Sequence, residues 1–526
     1  MVRALPLGSL PCRNRHAVPL AIQTGTAPWR NWRSAAQAPI YPVLLVAAYT
    51  VGEFGITHAH PAVLVRPLAI GTAMTAVLVV VVGLLAGSWR RGALVVGASV
   101  LALEGYWPMI LLAAWWVAAR RIAPRLRLWR VPSLERSTGA LNAFAGAWLI
   151  IALVLAVPQI LRAPTSLNAP FQLDGSRPGE RPDIYVLLLD GYARGDTLAE
   201  MGLDNDPFLS ALDDRGFDVY DEATGSYEFT VQVLASMMQG RHLTDLPLPN
   251  TSMTEVDQHR YLLSLITDAP VLDEFRRIGY EIIVSQSHAS HATVWTADRL
   301  LSTGTPTDFE MRLLMDTELD RAVTALAPTL MWDAYRERVR IQFGQLRQLG
   351  DENVDWPRLS FIHVISPHPP FTFNADGSDA PPIACFPLDC EGGWIPSDEM
   401  KDEDYVGRYL AQVQQVNRLT LDALNAVLND PTAIVVIMSD HGARVDQADH
   451  SEWYRTLFAA RTPGHPHAFR DAAYATALFP AIAREYFGAE VDLPPATRFA
   501  MVDGNRLDLA PVREGTLSNT EHGEGK

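Results

Sequence analysis

The first third of the chain is dominated by long apolar runs that short, basic stretches separate. A helix that crosses a bilayer needs about 20 mainly apolar residues, because each residue advances the helix by about 1.5 Å. The pattern therefore predicts a multi-span α-helical membrane region over residues 39–163. Its apolar runs lie at residues 40–56, 67–87, 92–119 and 140–161.

The run at 92–119 is interrupted by polar and helix-breaking residues at 104–108. The distribution of arginine decides whether it is counted as one helix or as two short ones. Cytoplasmic loops of membrane proteins are enriched in Lys and Arg. The N-terminal segment 1–38 is basic, and arginines also follow the second run and precede the last one. Two short helices that turn at 104–108 place all these basic loops inside. We therefore expect about five membrane helices, with four as the alternative, and a C-terminal domain outside the membrane.

Beyond a proline-containing linker at 164–182, short apolar runs alternate with amphipathic stretches. The apolar runs are typical of buried strands, and the alternation predicts an α/β sheet with helices on both faces over residues 183–490. Residues 491–526 are interpreted as a C-terminal tail with a loose, polar end. The strands are expected at 184–189, 281–285, 359–365 and 433–438, and helices at 257–266, 317–349 and 405–428.

The charge is strongly segregated along the chain. The total of −16 conceals 15 arginines and three acids through residue 163, a net charge of +12, which leaves −28 for the remainder. A basic, apolar third followed by an acidic, mixed two-thirds is typical of a membrane region joined to a soluble domain. Such an acidic domain would repel a phosphate backbone, which argues against nucleic acid as a partner.

Three cysteines are present, Cys12 near the N-terminus and the pair Cys385 and Cys390 in a Pro- and Gly-rich stretch. In an exported domain the pair could close a small disulfide loop, or both could stay free thiols. A structural zinc site at the pair is less favoured, because such a site needs four ligands and the chain has no second cysteine pair.

Polar side chains follow all four predicted strands. Because open α/β sheets bind ligands at the carboxyl ends of their strands, these residues are expected to share one site. Carboxylate and imidazole groups are ligands of zinc and manganese. The strand-end residues are Asp190-Gly191, Ser287, His288 and His291, Ser366-Pro367-His368-Pro369, and Ser439-Asp440-His441-Gly442.

Each of these groups also has a purely structural interpretation. Asp190-Gly191 could be a turn after a strand, and His368 could be a rigid loop residue between prolines. Asp440 and His441 follow four buried apolar residues and are the stronger candidates, because adjacent ligands at a strand end need no helical spacing. His363 alternates inside a strand and is favoured as a core residue or a support for the site, and His288 and His291 are less favoured still.

Together these motifs resemble the sulfatase-like branch of the alkaline phosphatase superfamily, and in kind the membrane-anchored lipoteichoic acid synthases and phosphoethanolamine transferases. The resemblance implies a three-layer αβα domain with a mixed, mostly parallel sheet, outside the membrane after about five helices. It covers most of residues 182–490. It is carried by Pro182-Asp183-Ile184-Tyr185 leading to Asp190-Gly191-Tyr192, by Phe361-Ile362-His363 with Pro367-His368-Pro369-Pro370-Phe371, and by Ser439-Asp440-His441-Gly442.

The family uses a metal-bound nucleophile at the start of a helix, and here the matching position is Thr230. A helix N-terminus favours an approaching phosphate, and a metal-bound hydroxyl loses its proton more readily. The alternative is that Thr230 only caps the helix; Ser226 and Thr224 are fallback nucleophiles. The resemblance implies Asp190, Thr230, Asp440 and His441 as ligands of one divalent metal, manganese or zinc. It implies that His368 contacts the phosphoryl group or assists the leaving group.

Two departures from the family pattern matter. None of the three cysteines has the x-Pro-x-Arg context from which sulfatases form formylglycine, and Thr230 cannot be converted to formylglycine, so sulfate-ester hydrolysis by that chemistry is not expected. Asp190 is followed by Gly191 and not by a second aspartate, which favours a single metal; His450 or Asp446 could supply a second metal site.

The resemblance therefore implies a multi-pass inner-membrane enzyme whose catalytic domain is periplasmic or extracellular. It is expected to transfer or hydrolyse phosphoryl esters, with a membrane lipid as donor and an envelope glycan or lipid as acceptor. The alternative is a non-catalytic envelope protein that uses a vestigial sulfatase-like domain for binding or assembly. The donor, the acceptor and the oligomeric state cannot be obtained from the sequence.

Overall fold

The fold is described from a computed structural model of the chain. The structure describes residues 38–57, 59–103, 134–161, 167–174, 181–247, 253–287, 289–382, 402–444 and 450–512. Cys12, Cys385, Cys390, His288 and Asp446 lie outside the described residues, as does the side chain of His291, so the expectations for them are not tested.

Four helices occupy the described part of the N-terminal region: α1 (Tyr41–Ile56), α2 (Val65–Leu85), α3 (Trp89–Leu103) and α4 (Leu134–Ile160). By length and composition, the segments Pro61–Leu85 and Ser137–Pro158 could cross a membrane, and α1 is apolar but shorter. The position of α3 matches the first of the two short helices expected from the run at 92–119. The second lies outside the described residues, so the number of membrane passes stays a prediction.

Small residues let these four helices pack closely. A side chain on Gly92 of α3 would lie only 2.4 Å from the backbone nitrogen of Gly83 of α2. The helices α1 and α4 run side by side in the same direction, because the Tyr41 N–H donates to Asn142 Oδ1 at one end (3.0 Å) and Gly55 lies against Ala156 near the other. Close backbone approach through small residues is the usual way in which membrane helices associate.

The α/β domain begins at residue 184. Its helices are α5 (Gly195–Glu200), α6 (Asp206–Asp213), α7 (Thr230–Gln239), α8 (Glu255–Thr267), α9 (Pro270–Arg277), α10 (Asp308–Met315), α11 (Leu319–Leu326), α12 (Leu330–Asp351), α13 (Asp402–Val427) and α14 (Leu478–Phe487). Its strands are β1 (Ile184–Leu189), β2 (Asp218–Val219), β3 (Glu281–Ser285), β4 (Arg299–Leu301), β5 (Arg358–Val364), β6 (Ile434–Met438), β7 (Phe458–Arg461), β8 (Phe499–Val502) and β9 (Asn505–Pro511).

Seven strands form one mixed sheet in the order β2-β7-β6-β1-β5-β3-β4. The five strands from β6 to β4 are parallel, and β7 and β2 are antiparallel to their neighbours. Every residue of β1, β5 and β6 is buried, so both faces of the sheet are covered. One helical layer contains α12 and α13, which pack on each other, and another contains α7, α8, α9 and α14. The prediction of an α/β domain with a mixed, mostly parallel sheet is confirmed.

The structure differs from the sequence interpretation at two places. The amphipathic stretch expected at 317–349 is two helices, because Pro328 lies between α11 and α12 and proline cannot continue a helix. Residues assigned to a loose tail form the hairpin β8–β9, which places Phe499 and Leu507 in the core. Both side chains are apolar, and their burial holds this segment on the domain.

Candidate metal centre

Three adjacent parallel strands bring the predicted site residues together. In the sheet, Leu189 at the end of β1 pairs with Val364 at the end of β5, and Leu188 pairs with Met438 at the end of β6. The residues that follow these strand ends therefore emerge at one level of the same edge. Asp190 follows β1 directly, His368 lies in the loop after β5, and Asp440 and His441 lie in the loop after β6.

Asp190 is the centre of this cluster. Its Oδ2 lies 3.0 Å from His363 Nε2 and 3.5 Å from the Thr230 hydroxyl. Its Oδ1 lies 3.4 Å from His441 Nε2 but has no hydrogen-bond partner among the described residues. Burial opposes ionisation of this carboxyl, yet the neighbouring imidazoles of His368, His363 and His441 hold the pKa of Asp190 well below its usual range. Asp190 is therefore an anion around which imidazoles and a hydroxyl are gathered.

Asp440 and His441 present two buried atoms that no described group satisfies. Asp440 Oδ1 accepts the N–H of Gly191 at 3.1 Å, whereas Asp440 Oδ2 has no partner. His441 Nδ1 lies 2.8 Å from the carbonyl of Gly442, so the ring donates from Nδ1. Its Nε2 also has no hydrogen-bond partner, and it lies 3.6 Å from Asp440 Oδ2.

These donor atoms fit a divalent cation. Asp190, His368 and His441 offer one ligand atom each within 4.8 Å of one another, and so do Asp190, His363 and Asp440. A buried carboxylate oxygen without a partner costs several kcal/mol, which a bound cation would offset. Oxygen and imidazole nitrogen are the donors that zinc and manganese take. Both groups share Asp190, and neither contains His450.

Thr230 is the first residue of α7, and its hydroxyl is directed towards Asp190. The N-cap position is held by Phe229, whose side chain makes no capping hydrogen bond, so Thr230 does not serve as the cap. Of the fallback nucleophiles, Ser226 is buried with no hydrogen-bond partner for its hydroxyl, and Thr224 accepts a hydrogen bond from Arg498 at 3.1 Å. Of these three hydroxyls, that of Thr230 is the one for which the described residues show a contact with the Asp190 carboxylate.

His368 faces the same edge of the sheet. Its Nδ1 lies 2.9 Å from the carbonyl of Pro369, which leaves Nε2 as the acceptor of a neutral ring. Burial lowers the pKa of His368, and the neighbouring His441 and Arg444 lower it further, against the opposing effect of Asp190. The ring is therefore a neutral imidazole near pH 7. Gly191, which lies beside both rings, has a positive φ of 69°, a backbone conformation that favours glycine.

Sequence reasoning missed Arg444, which lines a small pocket beside the candidate ligands. This pocket is bounded by Gly191, His368, Pro369, Tyr405, Tyr409, His441, Gly442, Ala443 and Arg444. The guanidinium lies over the ring of Phe229 at 4.9 Å and over that of Trp453 at 5.4 Å, and it donates to the carbonyl of Glu228. Its buried Nε has no hydrogen-bond partner among the described groups. The basic residue three positions after His441 is the sequence signal that could have indicated a role for Arg444 at this site.

Glu228 and His450 form a second polar group next to α7. His450 Nδ1 lies 3.4 Å from Glu228 Oε1, and the imidazole stacks on Trp453 with the ring centroids 3.9 Å apart. His450 therefore pairs with a buried carboxylate and an indole. This geometry gives no support to the expectation that His450 holds a second metal.

The sequence matches no protein-family model and no curated protein. Several solved structures are similar to this one. They include the C-terminal periplasmic domain of EcEptC from Escherichia coli in complex with zinc, with a TM-score of 0.41, 14% identity, and coverage of 68% of this chain and 99% of that one. The phosphonate monoester hydrolase of Agrobacterium radiobacter gives a TM-score of 0.40, 16% identity, and coverage of 60% and 76%.

A similar structure that includes its membrane region is the integral membrane protein lipooligosaccharide phosphoethanolamine transferase A from Neisseria meningitidis. It gives a TM-score of 0.39 and 14% identity, and covers 76% of this chain and 75% of that one. These structures are of the same kinds of protein as those that the sequence motifs resemble. With TM-scores below 0.5, these likenesses carry no weight for function, which is inferred below from the residues of the site.

Proposed function

We propose that this protein is a membrane-anchored, metal-dependent enzyme that transfers or hydrolyses phosphoryl esters through a threonine nucleophile. One observation carries the proposal. Buried ligand atoms of Asp190, Asp440 and His441 without hydrogen-bond partners converge beside the Thr230 hydroxyl, at the N-terminus of a ten-residue helix. Helix N-termini favour anions, so a phosphoryl group can approach Thr230 here.

Asp190, Thr230, Asp440 and His441 would hold one divalent metal, zinc or manganese. Bound there, the cation would lower the pKa of the threonine hydroxyl and stabilise charge that develops on the phosphoryl oxygens. His363 Nε2, 3.0 Å from Asp190 Oδ2, orients that carboxylate. Such a contact beyond the ligands fixes the position of a metal-binding side chain.

Thr230 and His368 would divide the covalent chemistry between them. The Thr230 Oγ forms a bond to phosphorus while the bond from phosphorus to the leaving oxygen breaks, and a phosphothreonine diester results. The Thr230 hydroxyl would lose its proton to solvent before the attack and the leaving oxygen would take one from solvent, while His368 would contact the phosphoryl group or assist the leaving oxygen. An acceptor hydroxyl or water then attacks the phosphorus, and Thr230 is released with a proton. Transfer and hydrolysis differ only in this last nucleophile.

Arg444 would recognise the substrate. With a divalent cation held by the carboxylates of Asp190 and Asp440, Arg444 contributes the one net positive charge among these groups, which matches a singly charged phosphodiester. Its planar guanidinium is suited to two phosphoryl oxygens at once, and the stacking on Phe229 and Trp453 holds it in place. A sulfate ester has the same charge, but Thr230 cannot be converted to the formylglycine that sulfatases use.

The substrates are proposed to be a membrane lipid donor and an envelope glycan or lipid acceptor. The loops at the catalytic edge of the sheet contact the N-terminal helices. Beyond β3, Trp295 stacks on His60 at 5.1 Å between ring centroids, and beyond β4 the carbonyl of Thr305 accepts from Arg66 at 2.7 Å. A metal centre on that edge is therefore near the ends of the helices that we propose to cross the cell membrane five times, with the domain on the periplasmic or extracellular side.

The nucleophile can be tested with a chromogenic phosphodiester. The full-length protein in detergent with manganese or zinc is mixed with bis(p-nitrophenyl) phosphate and quenched in acid within one turnover. We expect p-nitrophenol release and a p-nitrophenyl phosphoryl adduct on the peptide that contains Thr230. Thr230→Ser should keep the adduct and Thr230→Ala should lose it.

An adduct that survives Thr230→Ala would exclude Thr230 as the nucleophile. Metal binding with neither turnover nor an adduct would instead support the non-catalytic alternative. Addition of a simple alcohol then separates the two reaction types, because a transferase forms the alkyl phosphodiester and a hydrolase forms p-nitrophenyl phosphate.

A further inference from the structure

The short helix α11 lies on the domain without any buried residue. Leu319, Leu326 and the following Leu330 are exposed, with Leu326 86% accessible. A helix of eight residues is too short to be stable in water through its own hydrogen bonds. A cluster of large apolar side chains on such a helix marks a surface that another body covers.

The sequence of α11 is amphipathic. Leu319, Val323 and Leu326 follow one another at spacings of four and three residues, which places them on one face. Asp320, Arg321 and Thr324 fall on the opposite face. Arg321 pairs with Glu318 at 3.1 Å, so the charges of the polar face are partly compensated. A strongly amphipathic helix with leucines on one face is typical of a segment that lies in a membrane interface.

The chain that leads to α11 runs along the membrane helix α1. At its start, Glu310 pairs with Arg66 near the outer end of α2, and Phe309 packs edge-on against Phe54, with ring centroids 6.2 Å apart. One turn later the carbonyl of Leu313 accepts from the Tyr49 hydroxyl at 3.4 Å. Because Tyr49 precedes Phe54 by five residues in α1, α10 descends towards the interior of the helix bundle.

The depth that α11 reaches can be read from the helices beside it. The Glu318 N–H donates to the carbonyl of Leu103 at the end of α3 (2.9 Å). The antiparallel helices α2 and α3 meet where Gly83 lies against Gly92. From that level, α3 rises about 16 Å to Leu103 and α2 rises about 27 Å to Val65, at about 1.5 Å per residue. Leu103, and with it the start of α11, therefore lies about 10 Å below the outer end of α2.

We propose that α11 is a membrane-docking helix whose apolar face, Leu319, Val323 and Leu326, inserts into the outer leaflet of the bilayer. The inference rests on the proposal that α1–α4 are membrane helices. The outer half of the apolar layer is about 15 Å thick, so a helix that begins about 10 Å below the end of α2 meets acyl chains. Arg321 is long enough to reach the headgroup layer from there.

This docking would couple the bilayer to the candidate active site. α11 leads directly into α12, whose Tyr335 hydroxyl donates to the carbonyl of Ile365 at 3.1 Å. Ile365 begins the loop that carries His368. A leaflet contact at α11 would therefore hold that loop at a fixed height above the headgroups, where the phosphodiester of a lipid lies.

Lipid contact can be measured independently of catalysis. In the full-length protein with Cys12, Cys385 and Cys390 changed to serine, Leu326→Cys and Thr324→Cys each receive an environment-sensitive fluorophore, and the protein is reconstituted into phosphatidylcholine–phosphatidylglycerol vesicles. We expect doxyl lipid to quench the label at position 326 and iodide to quench the one at 324. If iodide reaches both labels equally, or if neither quencher reaches position 326, the proposal is wrong; the second result would indicate a protein partner or a second copy.

A functional comparison covers the case in which the cysteine-free protein does not fold. Leu326→Glu should lower turnover of a phospholipid in vesicles by about ten-fold, because a charge in the apolar layer is costly, and leave turnover of bis(p-nitrophenyl) phosphate unchanged. Thr324→Glu on the opposite face should change neither rate. Equal loss of both activities in Leu326→Glu would contradict the membrane role. A wild-type protein that turns over neither substrate would refute the proposed function and leave the quenching result standing.

Discussion

Asp440 and His441 are neighbours in sequence that aim two unsatisfied atoms at the same space: Asp440 Oδ2 lies 3.6 Å from His441 Nε2, and neither atom has a hydrogen-bond partner. Buried polar atoms in folded proteins are almost always paired. Two adjacent side chains that bury atoms without hydrogen-bond partners are better explained by a bound cation than by packing alone.

Replacement of the Asp440 carboxylate should separate metal binding from stability. Asp440→Asn removes a buried charge and a ligand, so we expect at least a 100-fold loss of zinc or manganese affinity and an apo protein at least as stable as the wild type. The measurement is metal content after dialysis, together with the rise in Tm on metal addition. Asp376→Asn, in an exposed turn, is the control. A variant that retains the metal would exclude Asp440 as a ligand.

Loss of the Arg444 guanidinium should reduce stabilisation of the transition state without changing the affinity for the metal. Arg444→Gln should lower kcat/KM for a phosphodiester by about 100-fold, since a charged hydrogen bond to substrate contributes about 3 kcal/mol. Arg506 offers a matched control, because its guanidinium also lies 4.9 Å from the ring of Phe229 but does not line the pocket. If Arg506→Gln were as damaging as Arg444→Gln, stacking on Phe229 and not substrate recognition would explain the effect.

Gly442 should tolerate no side chain. A Cβ at this position would lie 2.1 Å from the carbonyl oxygen of Glu452 and 2.6 Å from that of Arg455. Gly442→Ala must therefore move the loop that carries His441, and we expect loss of metal binding and a destabilisation of about 3 kcal/mol. Gly344→Ala, within α12 and with nothing within 4 Å of its Cβ, should raise the free energy of unfolding by up to about 1 kcal/mol. Thermal unfolding tests whether Gly442→Ala lowers the free energy of unfolding and Gly344→Ala raises it.

His242 should make the α/β domain acid-sensitive. Burial lowers the pKa of His242, against the opposing effect of its contact with the Pro495 carbonyl. The folded ring therefore resists a proton that the unfolded chain accepts below about pH 6.5. Stability should be fully present above that pH and fall as the pH drops from there towards the folded pKa, with a slope of up to about 1.4 kcal/mol per pH unit.

The His242 contribution can be isolated by substitution. His242→Gln should flatten the fall of Tm between pH 6.5 and 5, even if it lowers Tm at pH 7.5 because contacts with Tyr227 and Pro495 are lost. His467→Gln, at an exposed histidine, should leave that slope largely unchanged. An unchanged slope in His242→Gln would show that other groups cause the acid sensitivity.

Local patterns were sufficient to predict much of this protein. The runs at 184–189 and 281–285 are strands with those bounds; the run at 359–365 differs from β5 by one residue at each end, and the run at 433–438 differs from β6 by one residue at its start. These strands are buried on both faces, so they appear as continuous apolar runs that the chain itself displays. The ligand candidates Asp190, Asp440 and His441 were visible for the same reason, since each lies within three residues of the end of such a run.

The tertiary structure decided what depends on groups distant in sequence. The contact of Thr230 with Asp190 joins residues forty positions apart. For His363 the sequence left core and support as alternatives, and the fold places its Nε2 3.0 Å from the Asp190 carboxylate, in the supporting role. Arg444 and the exposed leucines of α11 carried no decisive local signal, because their significance depends on which rings, carbonyls and membrane helices lie next to them. Strand periodicity is a property of neighbouring residues, whereas a binding site is made by chain segments that only folding brings together.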